Sequence, residues 1–372
     1  MNTYFSEVKK NFGFGFMRLP MIGETVDIEH TQKMVDLFMH NGYNYFDTAH
    51  SYINGQSEKV LKECLTSKYP RESYVLADKL SAWNFEKEEE ILPLFENQLK
   101  ICGVEYFDFY LMHAQSKERY EKYKNANAYK IASDLKAKGK IKHFGISFHD
   151  TAEVLEQILT ENPEIEFVQI QFNYVDFESD SVQSRKVYEV CRKHNKPVIV
   201  MEPVKGGTLA NISDECKEVF DSLGGSPASY AIRFAAGFEG VFMVLSGMST
   251  LEMVKENTEI MNDFRPLDES EITAVQKVCN LIKGQNVIEC TSCEYCIEKC
   301  PSNILIPKLF SCFNNYNTFP NWNSDFYYSV YTKDNGKASD CIKCGACESA
   351  CPQKLKIRDL LEKVAENFEK RD

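Results

Sequence analysis

A cysteine pattern that occurs twice near the C-terminus restricts the possible folds of this chain more than any other feature. The first copy is Cys290-x2-Cys293-x2-Cys296-x3-Cys300-Pro301, and the second is Cys341-x2-Cys344-x2-Cys347-x3-Cys351-Pro352. Three thiolates at two-residue gaps wrap one face of a cubane cluster, and the fourth, followed by proline, reaches across to a second cluster. The two runs must therefore fold against each other, because neither closes a site alone. On that pairing, Cys290, Cys293, Cys296 and Cys351 hold one [4Fe–4S] cluster, and Cys341, Cys344, Cys347 and Cys300 hold the other. Structural zinc uses four ligands, usually as two separated pairs, and disulfides belong to oxidising compartments. Both fit the doubled run less well.

The other cysteines, Cys64, Cys102, Cys191, Cys216, Cys279 and Cys312, are scattered and read as buried apolar thiols. A hydrophobic content of 43% over 372 residues is enough for a large core. The net charge of −12 argues against nucleic acid and anionic membranes as partners. The first residues lack the apolar core of a signal peptide, and no run of about 18 apolar residues occurs. The expectation is a cytoplasmic protein with no membrane span.

Upstream of the cysteines, short apolar runs alternate with stretches of helical period. Strands are predicted at Gly13–Met17, Tyr45–Asp47, Tyr74–Asp78, Phe107–Met112, His143–Ser147, Phe167–Gln171, Pro197–Met201 and Val241–Ser246. Helices are predicted at Ile28–Asn41, Ser57–Leu65, Lys87–Ile101, Ala126–Lys138, Ala152–Leu159, Ser181–His194, Pro227–Ala236 and Leu251–Asn262. Eight strand-then-helix units in about 250 residues have the rhythm of a (β/α)8 TIM barrel. An open doubly wound sheet is the competing arrangement, and the absence of G-x-G-x-x-G after the first strand weighs against it. The expected organisation is a barrel over 1–266, a helical connector over 267–286 packing on it, and a small α+β ferredoxin-like iron–sulfur domain over 287–372. Between the cysteine runs lie Phe310, Phe313, Tyr316, Phe319, Trp322, Phe326, Tyr327, Tyr328 and Tyr331. These aromatics are expected to shield the clusters and dock the small domain.

A TIM barrel places its chemistry at the C-terminal ends of its strands. There the sequence has Asp47, Lys79, His113, Ser147, Gln169, Gln171 and Glu202, with Tyr52 five residues after Asp47. A carboxylate, a lysine, a histidine and a tyrosine at one mouth suit proton transfer to a carbonyl oxygen. The ammonium is expected to lower the tyrosine pKa, the aspartate to hold the lysine charged, and a neutral histidine to orient the carbonyl. Each residue alone has a bland reading as a cap, a solvated loop residue or a packed ring; the four together do not.

The segment Phe46-Asp47-Thr48-Ala49-His50-Ser51-Tyr52, followed by Gly55 and Glu58, resembles the aldo/keto reductase signature. The resemblance continues through Lys79, His113, Gly145-Ile146-Ser147, Gln169–Asn173, Glu202-Pro203-Val204-Lys205-Gly206-Gly207, Ser246-Gly247-Met248-Ser249 and Asn257. It extends to the branch of that family with a ferredoxin-like extension. It implies Tyr52 as proton donor, Lys79 and Asp47 tuning it, and His113 orienting the substrate. It also implies NADPH or NADH lying over the barrel mouth. Ser147 and Gln169 would hold the carboxamide, Met201 would pack on the nicotinamide, Gly206 and Gly207 would meet the pyrophosphate, and Gly247, Ser249 and Asn257 the adenosine end. Many relatives have an aromatic residue where Met201 stands. Basic residues that grip a 2′-phosphate are replaced by Gly247 and Met253, with Lys255 nearby, so NADH and NADPH are both open. Arg18, at the end of the first strand, is a further candidate for binding substrate or cofactor.

The implied activity is reduction of an aldehyde or ketone by hydride transfer. Two other functions stay open: electron exchange between the clusters and an external carrier, through a flavin or a redox partner protein, and a non-catalytic barrel whose clusters are a structural or sensing element. Substrate identity and oligomeric state are not encoded in any motif.

Overall fold

The computed structural model describes residues 4–179, 182–284, 287–318 and 322–370. They divide into two compact units, the first made of residues 4–179, 183–203 and 228–267, the second of 182, 204–227 and 268–370.

The first unit is a closed barrel of eight parallel strands: β1 Phe12–Gly15, β2 Tyr45–Asp47, β3 Val75–Ser81, β4 Phe107–Gln115, β5 Ile141–Phe148, β6 Phe167–Gln171, β7 Val198–Met201 and β8 Val241–Gly247. Each strand pairs with its sequence neighbour, and β1 closes the ring by pairing with both β2 and β8. Side chains alternate across each strand. Tyr45, Val75, Ala77, Phe109, Leu111, Phe167, Ile199, Met243 and Leu245 therefore share one inward-facing core, which Phe5 and Val8 join. Two glycines make room for the large rings. A Cβ on Gly145 would come within 2.5 Å of the Phe167 ring, and one on Gly13 within 2.8 Å of Tyr45.

Strands β3 and β4 run further than predicted. Parallel pairing continues through Lys79↔Leu111, Leu80↔Met112 and Ser81↔His113. The side chains of Lys79, Ser81 and His113 point into the barrel and do not interrupt the ladder between β3 and β4. The helices are amphipathic, as their period requires, and several start at side-chain caps: Asp27 accepts from the His30 N–H, Ser116 from Arg119 and Thr250 from Met253. The helix predicted from Ser181 begins at Ser184, and Ser181 lies outside the described residues. A two-stranded hairpin, Met21–Ile22 with Thr25–Val26, follows β1. Among the described residues, no helix is long and apolar enough to cross a membrane.

The second unit holds both cysteine runs. The helix Glu269–Gly284 packs on the helix Asp214–Asp221, which the sequence reading missed because it is short and polar. Its small core joins Ile288, Ile304, Ile306, Leu309, Phe310, Phe313, Tyr328, Ile357, Leu361 and Val364 with Cys296, Cys312 and Cys347. The predicted aromatics divide: Phe310, Phe313 and Tyr328 are core, Tyr316 meets Phe368, and Tyr327 is half exposed. Phe319 and the side chains of Trp322 and Phe326 lie outside the described residues. A parallel bridge, Ile304↔Gly336, ties together the ends of the segment between the two runs. Of the six scattered cysteines expected to be buried, five are. Cys279 is only half-buried, because it lies toward the open side of its helix.

Candidate active site and cluster sites

Strand alternation carries straight from the barrel core to the mouth. Asp47 is two residues beyond Tyr45, Lys79 beyond Ala77, His113 beyond Leu111, Ser147 beyond Gly145, Gln169 beyond Phe167, Met201 beyond Ile199 and Gly247 beyond Leu245. Each continues an inward-facing row, so the closed sheet converges them on one end.

At the centre, Lys79 Nζ lies 2.6 Å from Asp47 Oδ1 and donates to the Thr48 carbonyl at 2.7 Å. Lys79 and Asp47 are 1% and 3% exposed, so the pair is desolvated and held by geometry. Behind it, Gln98 donates to the Lys79 carbonyl at 3.0 Å and to Glu58 Oε1 at 3.1 Å. This fixes the strand at that residue. Burial and the neighbouring Glu58 keep the Asp78 carboxyl well above the usual range. Burial also raises Asp47, against the pull of Lys79.

Tyr52 leaves the loop after β2 through a left-handed turn. Ile53, Asn54 and Gly55 have φ of 51°, 51° and 76°, and the Gly55 and Ser57 amides donate back to the Tyr52 carbonyl. Ser57 anchors the turn through Thr48 Oγ1 and the Phe16 carbonyl. Lys79 Nζ stands 4.9 Å from the centre of the Tyr52 ring, and the His113 ring meets its edge at 5.8 Å. The expected lowering of the tyrosine pKa is not what this geometry gives. Burial, then the carboxylates of Asp47, Asp78 and Glu202, hold the phenol well above its usual value, and Arg18 pulls it down. Asp47 neutralises Lys79 at contact distance, so little of the ammonium field reaches the phenol.

His113 is held well below the usual histidine range by burial, Lys79, His149 and Arg119, so it is neutral at pH 7. Its Nδ1 is 2.6 Å from Ser81 Oγ, and Trp83 tilts against its ring at 4.9 Å. Ser81 and Trp83 were missed from the sequence because β3 was expected to end at Asp78. A strand that runs three residues further turns Ser81 inward and places Trp83 on the following turn.

Ser147 Oγ accepts the Ala114 N–H at 2.7 Å, where β4 bulges and Ala114 has φ 53°. Gln169 is 2% exposed, and among the described residues its Oε1 has no protein partner. Gln171 instead braces a loop, donating to Asp176 at 2.7 Å. Met201 is half-buried. Asn257 donates to Ser246 Oγ at 3.2 Å, and Ser249 Oγ to the Arg18 carbonyl at 2.8 Å. The Arg18 stem runs along Gly247, where a Cβ would come within 3.1 Å of it. Gly206 and Gly207 belong to the second unit, both with positive φ.

In the second unit, one pocket is lined by Cys290, Cys293, Cys296 and Cys351, with Phe310, Leu355 and Ile357. Another is lined by Cys300, Cys341, Cys344 and Cys347, with Ile306, Ile342 and Leu361. Each pocket takes three thiols from one run and the fourth from the other. Burial and the adjacent Cys293, Cys290 and Cys351 raise the Cys296 thiol. Four converging thiols in an apolar cradle fit the requirements of an iron–sulfur cluster.

The family model described as "Aldo/keto reductase family" matches residues 11–280, and a 4Fe-4S dicluster domain matches 289–355. Among curated proteins, the chain is similar to methylglyoxal reductase YeaE of Escherichia coli, 26% identical over 67% of this chain and 84% of that one. It is also similar to a 9,11-endoperoxide prostaglandin H2 reductase of Trypanosoma cruzi, 27% identical over 59% of this chain and 74% of that one. Among solved structures, the aldo-keto reductase AKR11C1 from Bacillus halodurans superposes with a TM-score of 0.60 at 22% identity, covering 73% of this chain and 92% of the other. An aldo-keto reductase from Klebsiella pneumoniae in complex with NADPH gives 0.56 at 21% identity, covering 72% and 90%.

Proposed function

The chain belongs to the aldo/keto reductase family, an NAD(P)-dependent oxidoreductase barrel continued by a 4Fe-4S domain, and from that premise we propose that it reduces an aldehyde or ketone with Tyr52 as proton donor. The observation that carries the reading is the buried Lys79–Asp47 pair beneath Tyr52, with neutral His113 at the ring edge. The nicotinamide, when bound, supplies hydride to the carbonyl carbon. Tyr52 remains a protonated phenol at neutral pH and gives its proton to the carbonyl oxygen, whose developing alkoxide is the stronger base. With Ser81 donating to His113 Nδ1, the ring proton sits on Nε2 and orients the carbonyl. Lys79 and Asp47 fix the electrostatics below the phenol and return to the same state after each turnover.

Ser147 uses its oxygen on the Ala114 amide, which leaves its O–H to donate to a carboxamide oxygen; Gln169 Oε1 is the complementary acceptor. Met201 supplies a polarizable face for the nicotinamide. Gly206, Gly207, Gly247, Ser249 and Asn257 are assigned to the pyrophosphate and adenosine on the family pattern. The domains are taken as barrel 1–266, connector 267–286 and cluster domain 287–372.

The test is turnover of anaerobically purified protein with NADH and with NADPH against a panel of carbonyls headed by methylglyoxal, the substrate in the name of the Escherichia coli relative. Tyr52→Phe should lower kcat by roughly 10²–10⁴-fold with nucleotide binding retained. Undiminished turnover overturns the assignment. A second reading, electron exchange with an external carrier, draws support from Cys344, which is exposed and brings one cluster site to the surface. Bleaching of the cluster absorbance on adding NADH or NADPH would favour it.

A further inference from the structure

Two consecutive residues of the loop after β7 hold Cys290 from both sides. Lys205 Nζ lies 3.5 Å from Glu289 Oε2, in the residue before Cys290. Gly206 lies against Thr291, the residue after it, so closely that a Cβ on Gly206 would come within 2.6 Å of the Thr291 carbonyl oxygen. All of these residues belong to the second unit.

Lys205 is only 2% exposed, and lysine is almost never so buried unless paired. Its φ is 46°, and that of Gly206 is 65°. A lysine in the left-handed region is strained and persists only where its surroundings over-determine it. Here the ion pair and the close backbone contact supply that constraint, and both act on the residues flanking a cluster ligand.

We propose that Lys205 is a positioning residue for the iron–sulfur cluster held by Cys290, Cys293, Cys296 and Cys351. Its ammonium offsets the Glu289 carboxylate beside Cys290, and Gly206 seats the ligand loop. Reduction adds one negative charge to a centre already bound by four thiolates. A nearby positive charge favours the reduced state, and a bare carboxylate opposes it. Lys205 therefore raises the potential of this cluster above the value that Glu289 alone would impose. Among the described residues, neither Lys205 nor Glu289 lines the site of Cys341, Cys344, Cys347 and Cys300, which serves as an internal reference.

The experiment uses the full chain, anaerobically reconstituted with iron and sulfide. Midpoint potentials are read by EPR-monitored titration for the parent protein, Lys205→Met, Glu289→Gln and the double variant. Lys205→Met should shift one of the two potentials to more negative values, and Glu289→Gln should shift the same one to more positive values. Each shift is up to about tenfold in the oxidised-to-reduced ratio, about 59 mV for one electron. The double variant should return close to the parent. A purely structural role would not produce shifts of opposite sign. If Lys205→Met fails to retain the cluster, Glu289→Gln, which keeps the lysine and the side-chain size, still decides. Shifts of the same sign, equal shifts in both clusters, unchanged potentials, or a parent protein with too little iron for a cluster at Cys290 overturn the proposal.

Discussion

Replacing Lys79 by Met tests whether the centre of the barrel mouth is held by one ion pair. The substitution keeps the length and apolar stem of the side chain but removes the ammonium. Asp47 Oδ1 then loses its 2.6 Å partner, and Oδ2 already has none among the described residues. Removing one partner of a buried pair costs about 3–5 kcal/mol, because the other charge is left desolvated. At roughly 2–4 °C per kcal/mol for a domain of this size, Tm should fall by about 6–20 °C at pH 7. The loss should depend on pH. Burial already raises the Asp47 pKa, and losing Lys79 raises it further. A carboxyl raised above its unfolded value is penalised as pH climbs from about 4 toward its folded pKa, and relieved on acidification. Thermal unfolding of parent, Lys79→Met and Asp47→Asn/Lys79→Met from pH 5 to 8 reads both effects. The double variant, with neither charge of the pair left, should recover most of the loss. A fall of less than about 2 °C at pH 7, or a double variant no more stable than Lys79→Met, would refute this reasoning.

Three further outcomes are expected. At the opposite end of the barrel interior, burial opposes the charging of His143, but hydrogen bonds to Glu166 and Glu7 outweigh it and push it to about 8. That contribution, about 2 kcal/mol, is full below pH 6.5 and lost as pH rises through about 8; His143→Gln should flatten the Tm profile over that window. His113 has the opposite sign: held neutral when folded, it lowers stability as pH falls below about 6.5, and His113→Gln should reduce that acid-side loss in the same scans. Cys351→Ser should remove iron from the site of Cys290, Cys293 and Cys296 rather than from that of its own run, leaving about half the iron on metal analysis together with one EPR signal.

The doubled cysteine run and the eight strand-helix units were legible because each is a spacing rule. A thiol pattern states its own stoichiometry, and a two-residue alternation states which side chains face inward. Asp47, Lys79 and His113 were legible for the same reason, and the structure brings them together with Tyr52. Ser81 and Trp83 were not, because inward polar residues imitate the end of a strand. Nor was the electrostatic state of Tyr52. Its sequence neighbours suggested a lysine acting on a phenol, but the 2.6 Å contact between Lys79 and Asp47 cancels that charge locally.

The sequence by itself determined the two kinds of unit, the eight candidate ligand cysteines and the residue types at the barrel mouth, since these follow from periodicity and from fixed spacings along the chain. Only the tertiary structure decided which charges meet. Whether Lys79 acts on Tyr52 or is neutralised by Asp47, and whether Lys205 lies in solvent or beside Glu289, depends on distances of a few ångströms between residues about 30 to 80 positions apart. Coulomb energies in a desolvated interior change steeply over those distances.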